Sequence, residues 1–177
     1  MLSQRKTRKK RNKRDDEHDR KVERKIEISL LLHNIRSTHN TGSIFRTADA
    51  VGVSKIYLSG YTPAPIDRFG RLRKDIAKVS LGAEKVVVWE SIKNVFDLIK
   101  KMKKDKVKMI GLEQDKRSVD YREAKIAKRN LLIIGSEVGG IEKEILSLCD
   151  EIAEIPMRGE KESLNVSVAT GIFLFSI

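Results

Sequence analysis

The sequence holds one cysteine, three prolines and few aromatic side chains (5%) in 177 residues. A single thiol, Cys149, excludes an internal disulfide and any cysteine-rich zinc site. It lies in "EKEILSLCD", a predicted helix, where a small buried hydrophobe is its natural role. The histidines are His18, His33 and His39, and none joins a Cys or Asp at metal-ligand spacing. No run of about 18 apolar residues occurs, which excludes a membrane-spanning helix and leads to the expectation of a soluble, cytoplasmic protein. No internal repeat is present, which excludes a solenoid or propeller.

Charge, by contrast, is abundant and unevenly placed. Charged residues make up 35% of the chain, hydrophobic residues 40%, and the net charge is +12. The opening "MLSQRKTRKKRNKR", residues 1–14, holds eight Lys or Arg and no acid, so it carries +8 of that +12 and leaves +4 for the rest. Such a stretch has too little apolar surface to offset its ordering entropy, so residues 1–24 are expected to be a mobile arm ahead of one folded domain, 25–177. The arm has three readings. It is a solvated terminus, a targeting segment or a polyanion-binding arm. A secretory signal would need an apolar core, and the acids of residues 15–19 argue against a transit peptide. Binding to a polyanion, nucleic acid above all, is the favoured reading, with affinity that falls steeply with salt.

From Lys25 onward short apolar runs alternate with amphipathic stretches. Strands are predicted at 26–34, 54–60, 84–90, 106–113, 130–137 and 151–157, with 84–90 ("EKVVVWE") as a central strand. Helices are predicted at 41–52, ending on Gly52, at 92–102, at 142–149 and at 163–177. In 92–102, Ile92, Val95, Phe96, Ile99 and Met102 make one helical face. Strands that are continuously apolar and alternate with helices mean a mostly parallel sheet covered on both faces, an α/β fold. Ligands in such sheets sit beyond the carboxyl ends of the strands, here after Gly60, Gly111, Gly135 and Ile155.

Three motifs fall at or near those ends. In "HNIRSTHNTGSIFRTADAVG", Asn40 and Gly42 mark a strand-to-helix turn, with Arg46 about one turn further on. Asn40 as a helix cap and Arg46 as a solvated cation is the plain reading; a guanidinium rooted on a packed helix and aimed at phosphate is the functional one. "LIIGSEVGGI" ends a buried strand on Gly135, and Gly139 and Gly140 follow. Its spacing is not G-x-G-x-x-G, so a dinucleotide site is poorly supported, and a plain turn has no need of Glu137. In "IPMRGEKESLNVSVATGIFLFSI", Ser163 suits a helix N-cap, whereas Asn165 is a mediocre helix former at the mouth of an apolar run and needs a specific partner. The basic "PIDRFGRLRK" (65–74), with Arg68, Arg71, Arg73 and Lys74, follows a strand end and is either a solvated loop or an RNA contact.

Taken in order, these segments resemble the three signature motifs of the SPOUT superfamily, in particular the TrmH/SpoU-type RNA 2′-O-ribose methyltransferases. The matching residues are N-x-G-x-x-x-R-T-A (Asn40, Gly42, Arg46, Thr47, Ala48), G-S-E-x-G-G-I (135–141) and I-P-M-x-G-x-x-x-S-L-N-V-S-V-A (155–169). The resemblance covers 26–177.

It implies a parallel sheet with a C-terminal deep trefoil knot, and S-adenosylmethionine as cofactor. It also implies a homodimer formed through the knot region, with the motif-one arginine supplied across the interface. Gly135, Ile155 and Leu164 match cofactor-contacting positions, with Leu112 by strand-end position and Met157 as a further wall. Arg46 matches the essential arginine, and Asn40, Glu137, Ser163 and Asn165 the polar set around it. The implied reaction is transfer of a methyl group to a ribose 2′-hydroxyl of tRNA or rRNA. Larger members carry additional RNA-binding modules, so a minimal core is expected here, with the basic arm as their substitute. A catalytically silent RNA-binding protein of the same fold is the alternative; base methylation fits the wider superfamily but not the third motif.

Overall fold

The computed structural model describes residues 26–177. The predicted basic arm, 1–24, lies outside the described residues.

The first strand, β1 (Glu27–His33), is buried at every position after Glu27. It is central: β2 (Lys55–Ser59) pairs on one side and β6 (Arg129–Ile134) on the other, both parallel. The remaining strands are β3 (Trp89–Ser91), β4 (Lys108–Leu112), β5 (Val119–Asp120) and β7 (Glu151–Glu154). The sheet runs β3-β2-β1-β6-β4-β7-β5, and every pairing between named strands is parallel. All carboxyl ends therefore share one rim, and the segments after β1, β4, β6 and β7 meet there.

Alternation along the strands builds two cores. Leu30, Leu32, Leu132 and Ile134 pack toward α1 (Thr38–Val51) and α6 (Val166–Leu174), against Ile44, Phe45, Ala48, Phe173 and Leu174. Leu31, Leu131 and Ile133 face α4 (Val95–Lys104) and α5 (Lys143–Leu146), against Val95, Ile99, Ile145 and Leu146. Each such fully buried side chain contributes about 1.5–3 kcal/mol relative to exposure. Coverage of both faces is what made the strands read as unbroken apolar runs.

Helix ends follow local chemistry. The Ser37 hydroxyl caps α1 by accepting from the Asn40 N–H at 3.2 Å, and the helix ends at Gly52 as expected. Asn40 is thus not the cap; it sits buried in the first turn. Because α1 begins at Thr38, Arg46 lies about two turns in rather than one.

One expected strand is corrected. Residues 84–90 are not a central strand: Ala83–Val86 form a single helical turn, α3, behind α2 (Lys74–Ser80), and β3 is a short edge strand. The valine run misled because only Val87 enters the core, while Val86 is 71% exposed. Glu84 is meanwhile buried on the Ser80 hydroxyl at 2.5 Å, which ties the turn back to α2. The helix expected at 142–149 shortens to α5, and that at 163–177 to α6. Cys149 is half-buried, and burial pushes its thiol up to about 11, which keeps it unreactive at neutral pH.

Candidate active site

At the shared rim lies a pocket of about 450 Å³, within the range of about 300–1,000 Å³ common for small-ligand sites. Three segments wall it. The end of β4 supplies Leu112, Glu113 and Gln114; the turn after β6 supplies Gly135–Val138 and Gly140; the stretch after β7 supplies Ile155, Met157, Ser163, Leu164 and Asn165. All five cofactor candidates, Leu112, Gly135, Ile155, Met157 and Leu164, therefore line one cavity with Glu137, Ser163 and Asn165.

Gly135 is there by necessity. A Cβ on it would overlap the carbonyl of Gly140 and crowd the Ile141 N–H. The turn folds back on itself that tightly because Ser136 and Gly140 exchange two backbone hydrogen bonds, at 3.0 and 2.9 Å. Glu113 holds it from the β4 side, accepting from the Ile141 N–H at 2.8 Å.

A chain of polar contacts ties the three motifs together. Glu137 accepts from the backbone N–H groups of Arg36 (2.8 Å) and Ser37 (3.1 Å) and from Asn40 Nδ2 (2.8 Å). Asn40 Oδ1 in turn accepts from Asn165 Nδ2 at 3.1 Å. Asn165 Oδ1 then caps α6, accepting from the Ser167 N–H at 2.9 Å and its hydroxyl at 2.7 Å. Burial would raise the Glu137 carboxyl, but those N–H donors outweigh it and hold the group below the usual Glu value. The cap of the last helix is therefore Asn165, not Ser163. Ser163 is exposed at the pocket mouth, and its hydroxyl has no protein partner among the described residues.

The cations are placed differently. Arg46 is exposed on α1 and does not line the pocket. Arg68 and Arg71 stand over the ring of Phe69, 4.7 and 4.9 Å from its centroid, on the loop after β2. Arg71 also pairs with Asp67 at 2.9 Å and Arg73 with Asp75 at 3.3 Å, and Lys74 opens α2. The structure thus brings the polar set and the cofactor candidates together, and leaves Arg46 and the 65–74 cations outside that cluster.

The model of the SpoU rRNA methylase family matches residues 27–175. This chain belongs to that family. The tRNA (guanosine(18)-2′-O)-methyltransferase of Aquifex aeolicus is 33% identical over 86% of this chain and 69% of its own length. The 23S rRNA (guanosine-2′-O-)-methyltransferase RlmB of Escherichia coli is 33% identical over 82% of this chain and 57% of its own. Among solved structures, the AdoMet-bound rRNA methyltransferase of Sinorhizobium meliloti superposes with a TM-score of 0.76 at 31% identity, over 85% of this chain and 55% of that one. The chain thus spans between about half and two thirds of the length of these relatives.

For a SpoU-family pocket, sequence reasoning missed Glu113 and Gln114. Gln114 Nε2 donates to the Glu162 carbonyl at 2.8 Å and so pins the loop that carries Ser163. The signal was available: both follow Leu112 at a strand end already marked as a ligand rim. No group of acidic, Cys or His side chains suited to a metal is found among the described residues, and none of their helices is long and apolar enough to cross a membrane.

Proposed function

We propose that this chain is an S-adenosylmethionine-dependent RNA methyltransferase that modifies a ribose 2′-hydroxyl in tRNA or rRNA. In this proposal it works as a cytoplasmic homodimer joined through a knotted C-terminal segment. The carrying observation is the Glu137–Asn40–Asn165 chain, which joins three distant motifs at the mouth of a pocket with apolar walls.

The pocket fits an adenosyl group by its chemistry. Leu112, Ile155 and Leu164 offer apolar surface to an aromatic base, and Gly135, which lets the 136–140 turn fold back against it, lines the same cavity. S-adenosylmethionine, when bound, supplies a methyl group on a sulfonium, an electrophile that needs no metal. The protein's task is then positioning of the ribose hydroxyl and removal of its proton.

Glu137 is poorly suited to take that proton. Both its oxygens accept N–H donors and its carboxyl is held ionised, so it fixes the motif-one loop rather than acting as base. Asn40 and Asn165 are likewise spent on each other and on the α6 cap. Arg46 and the Ser163 hydroxyl are the members left available to substrate. A guanidinium stays protonated in protein, so Arg46, reaching the partner protomer's pocket, grips the RNA phosphate or stabilises the developing alkoxide. The proton passes to phosphate or water. Outside the pocket, the Arg68–Phe69–Arg71 stack presents an exposed aromatic with two guanidinium groups to RNA.

Mapping 2′-O-methyl groups in cellular RNA with and without the gene tests the reading. Loss of one defined 2′-O-methyl supports it. An unchanged map, together with no binding of S-adenosylmethionine by calorimetry, overturns it in favour of a catalytically silent RNA-binding protein.

A further inference from the structure

The amino ends of the strands form a second rim, opposite the pocket and about 20 Å from it along the seven residues of β1. Three contacts tie that rim together. The Glu27 N–H donates to the Lys128 carbonyl at 2.9 Å, Arg129 Nη1 to the Asp105 carbonyl at 3.2 Å, and Lys108 Nζ to the Lys125 carbonyl at 2.5 Å. The end of α4, the start of β4 and the segment before β6 therefore meet at one edge.

That edge is cationic. It gathers Lys103, Lys104, Lys106, Lys108, Lys125, Lys128 and Arg129 against Glu27, Asp105, Asp150 and Glu151. Three of these acids are already engaged: Glu27 with Arg129 at 3.2 Å, Asp150 with Lys103 at 3.3 Å, and Glu151 with Lys108. Lys104, Lys106, Lys125 and Lys128 are exposed, with no acidic partner at ion-pair distance among the described residues. The chain also enters the described fold here, through Ile26, so the sequence that carries eight Lys or Arg in residues 1–14 leads into this edge.

A solvated face is the plain reading of a lysine run, and lysines at 101, 103 and 104 complement the α4 dipole. Lys106 does not fit that reading. The helix ends in a Schellman arrangement: the Lys106 N–H donates to the Lys103 carbonyl and the Val107 N–H to the Met102 carbonyl, each at 3.0 Å. Lys106 fills the left-handed position of that motif, at φ 57°. Glycine is its usual occupant, because a Cβ there is strained. The lysine side chain adds nothing to the cap, and it sets one more free cation on the edge.

We propose that this edge is a second RNA-binding surface, which grips substrate phosphates about 20 Å from the site of methyl transfer. This rests on the methyltransferase reading above and adds where the body of the RNA lies. Ammonium groups spread along one edge suit the phosphates of a folded RNA and carry no base preference. Such a surface holds substrate without touching the reacting atoms, so it acts on RNA affinity and KM rather than on kcat.

The test is binding of an unmodified tRNA transcript by the full chain across a salt series. It compares wild type, Lys106→Gly, and a quadruple variant that adds Lys104→Gln, Lys125→Gln and Lys128→Gln. The quadruple variant should bind more than tenfold more weakly at about 0.1 M salt, and its slope of log K against log salt should fall by about 3. Lys106→Gly should lose about 1 of that slope while its Tm stays or rises, since glycine suits the left-handed position. Turnover at saturating RNA and S-adenosylmethionine affinity should match wild type in both. A wild-type slope in the quadruple variant overturns the proposal, as does lost binding to phosphatidylglycerol vesicles with RNA binding intact. Turnover with an unchanged slope sinks only the surface; a reduced slope in a protein that binds no S-adenosylmethionine sinks only the methyltransferase reading.

Discussion

The rim of the sheet and the flank of the molecule use polar residues in opposite ways. At the rim, Glu137, Asn40 and Asn165 are consumed by one another and by backbone N–H groups. On the flank, Arg46 and Phe69 stand exposed, with the guanidinium groups of Arg68 and Arg71 stacked on Phe69. A group whose hydrogen bonds are internal is held in place before any ligand arrives. An exposed cation such as Arg46 or Arg68 keeps its bonding capacity for a partner and adds little to folding, whereas Arg71 is held in place by Asp67. The difference separates residues that shape the site from residues that meet RNA, and it predicts which substitutions harm the fold and which harm only the work.

The largest effect should come from Gly135→Ala. The added methyl has no room beside Gly140, and moving that turn should cost about 1–3 kcal/mol, read as a lower Tm, with S-adenosylmethionine binding lost in calorimetry. Next is Glu137→Gln, which points an amide N–H₂ at groups that are themselves donors; about 1–2 kcal/mol should be lost. Its pH dependence has a definite sign. The Glu137 carboxyl lies below its ordinary value of 4.5 when folded, so its stabilisation is present above that value and is lost as pH falls through the lowered folded one. Thermal unfolding across that range should therefore be flatter in Glu137→Gln than in wild type. Asn165→Ala should cost about 1 kcal/mol, the worth of a helix cap, and should also impair turnover through Asn40.

Substitutions on the flank should leave unfolding within about 0.5 kcal/mol of wild type. Arg46→Lys should keep RNA binding and lose most turnover at saturating RNA; full turnover would remove the proposed role of its guanidinium. Mixing Arg46→Ala with Asn165→Ala protein sharpens the same point. In a dimer with a shared site, one intact centre per mixed pair should restore about a quarter of wild-type activity, whereas a site complete within one protomer restores none. The smallest effect belongs to Arg68→Ala with Arg71→Ala, which should weaken RNA binding several-fold and reduce its salt slope by about 2.

Much of the sheet was legible because its strands are buried on both faces, so apolar runs and strands coincide. The exception, 84–90, failed at the sheet edge, where Val86 and Val88 face solvent and composition no longer reports burial. The pocket was legible through strand ends and motifs: the five cofactor candidates, Leu112, Gly135, Ile155, Met157 and Leu164, all line it, though Glu113 and Gln114 beside them were missed. Partner choice was not. That Asn40 is bonded to Glu137 and to Asn165 depends on contacts between residues 97 and 125 positions apart, on which local spacing is silent. The cap of α6 was misplaced by two residues because Ser163 and Asn165 both suit an N-cap and the helix starts only at Val166.

One measurement bears most directly on the account: incubate the protein with methyl-labelled S-adenosylmethionine and unmodified RNA transcripts, digest to nucleosides, and identify the labelled product. The account predicts label on a 2′-O-methylnucleoside, present with wild type and absent with Glu137→Gln. Label on a base, or label undiminished in that variant, would contradict it.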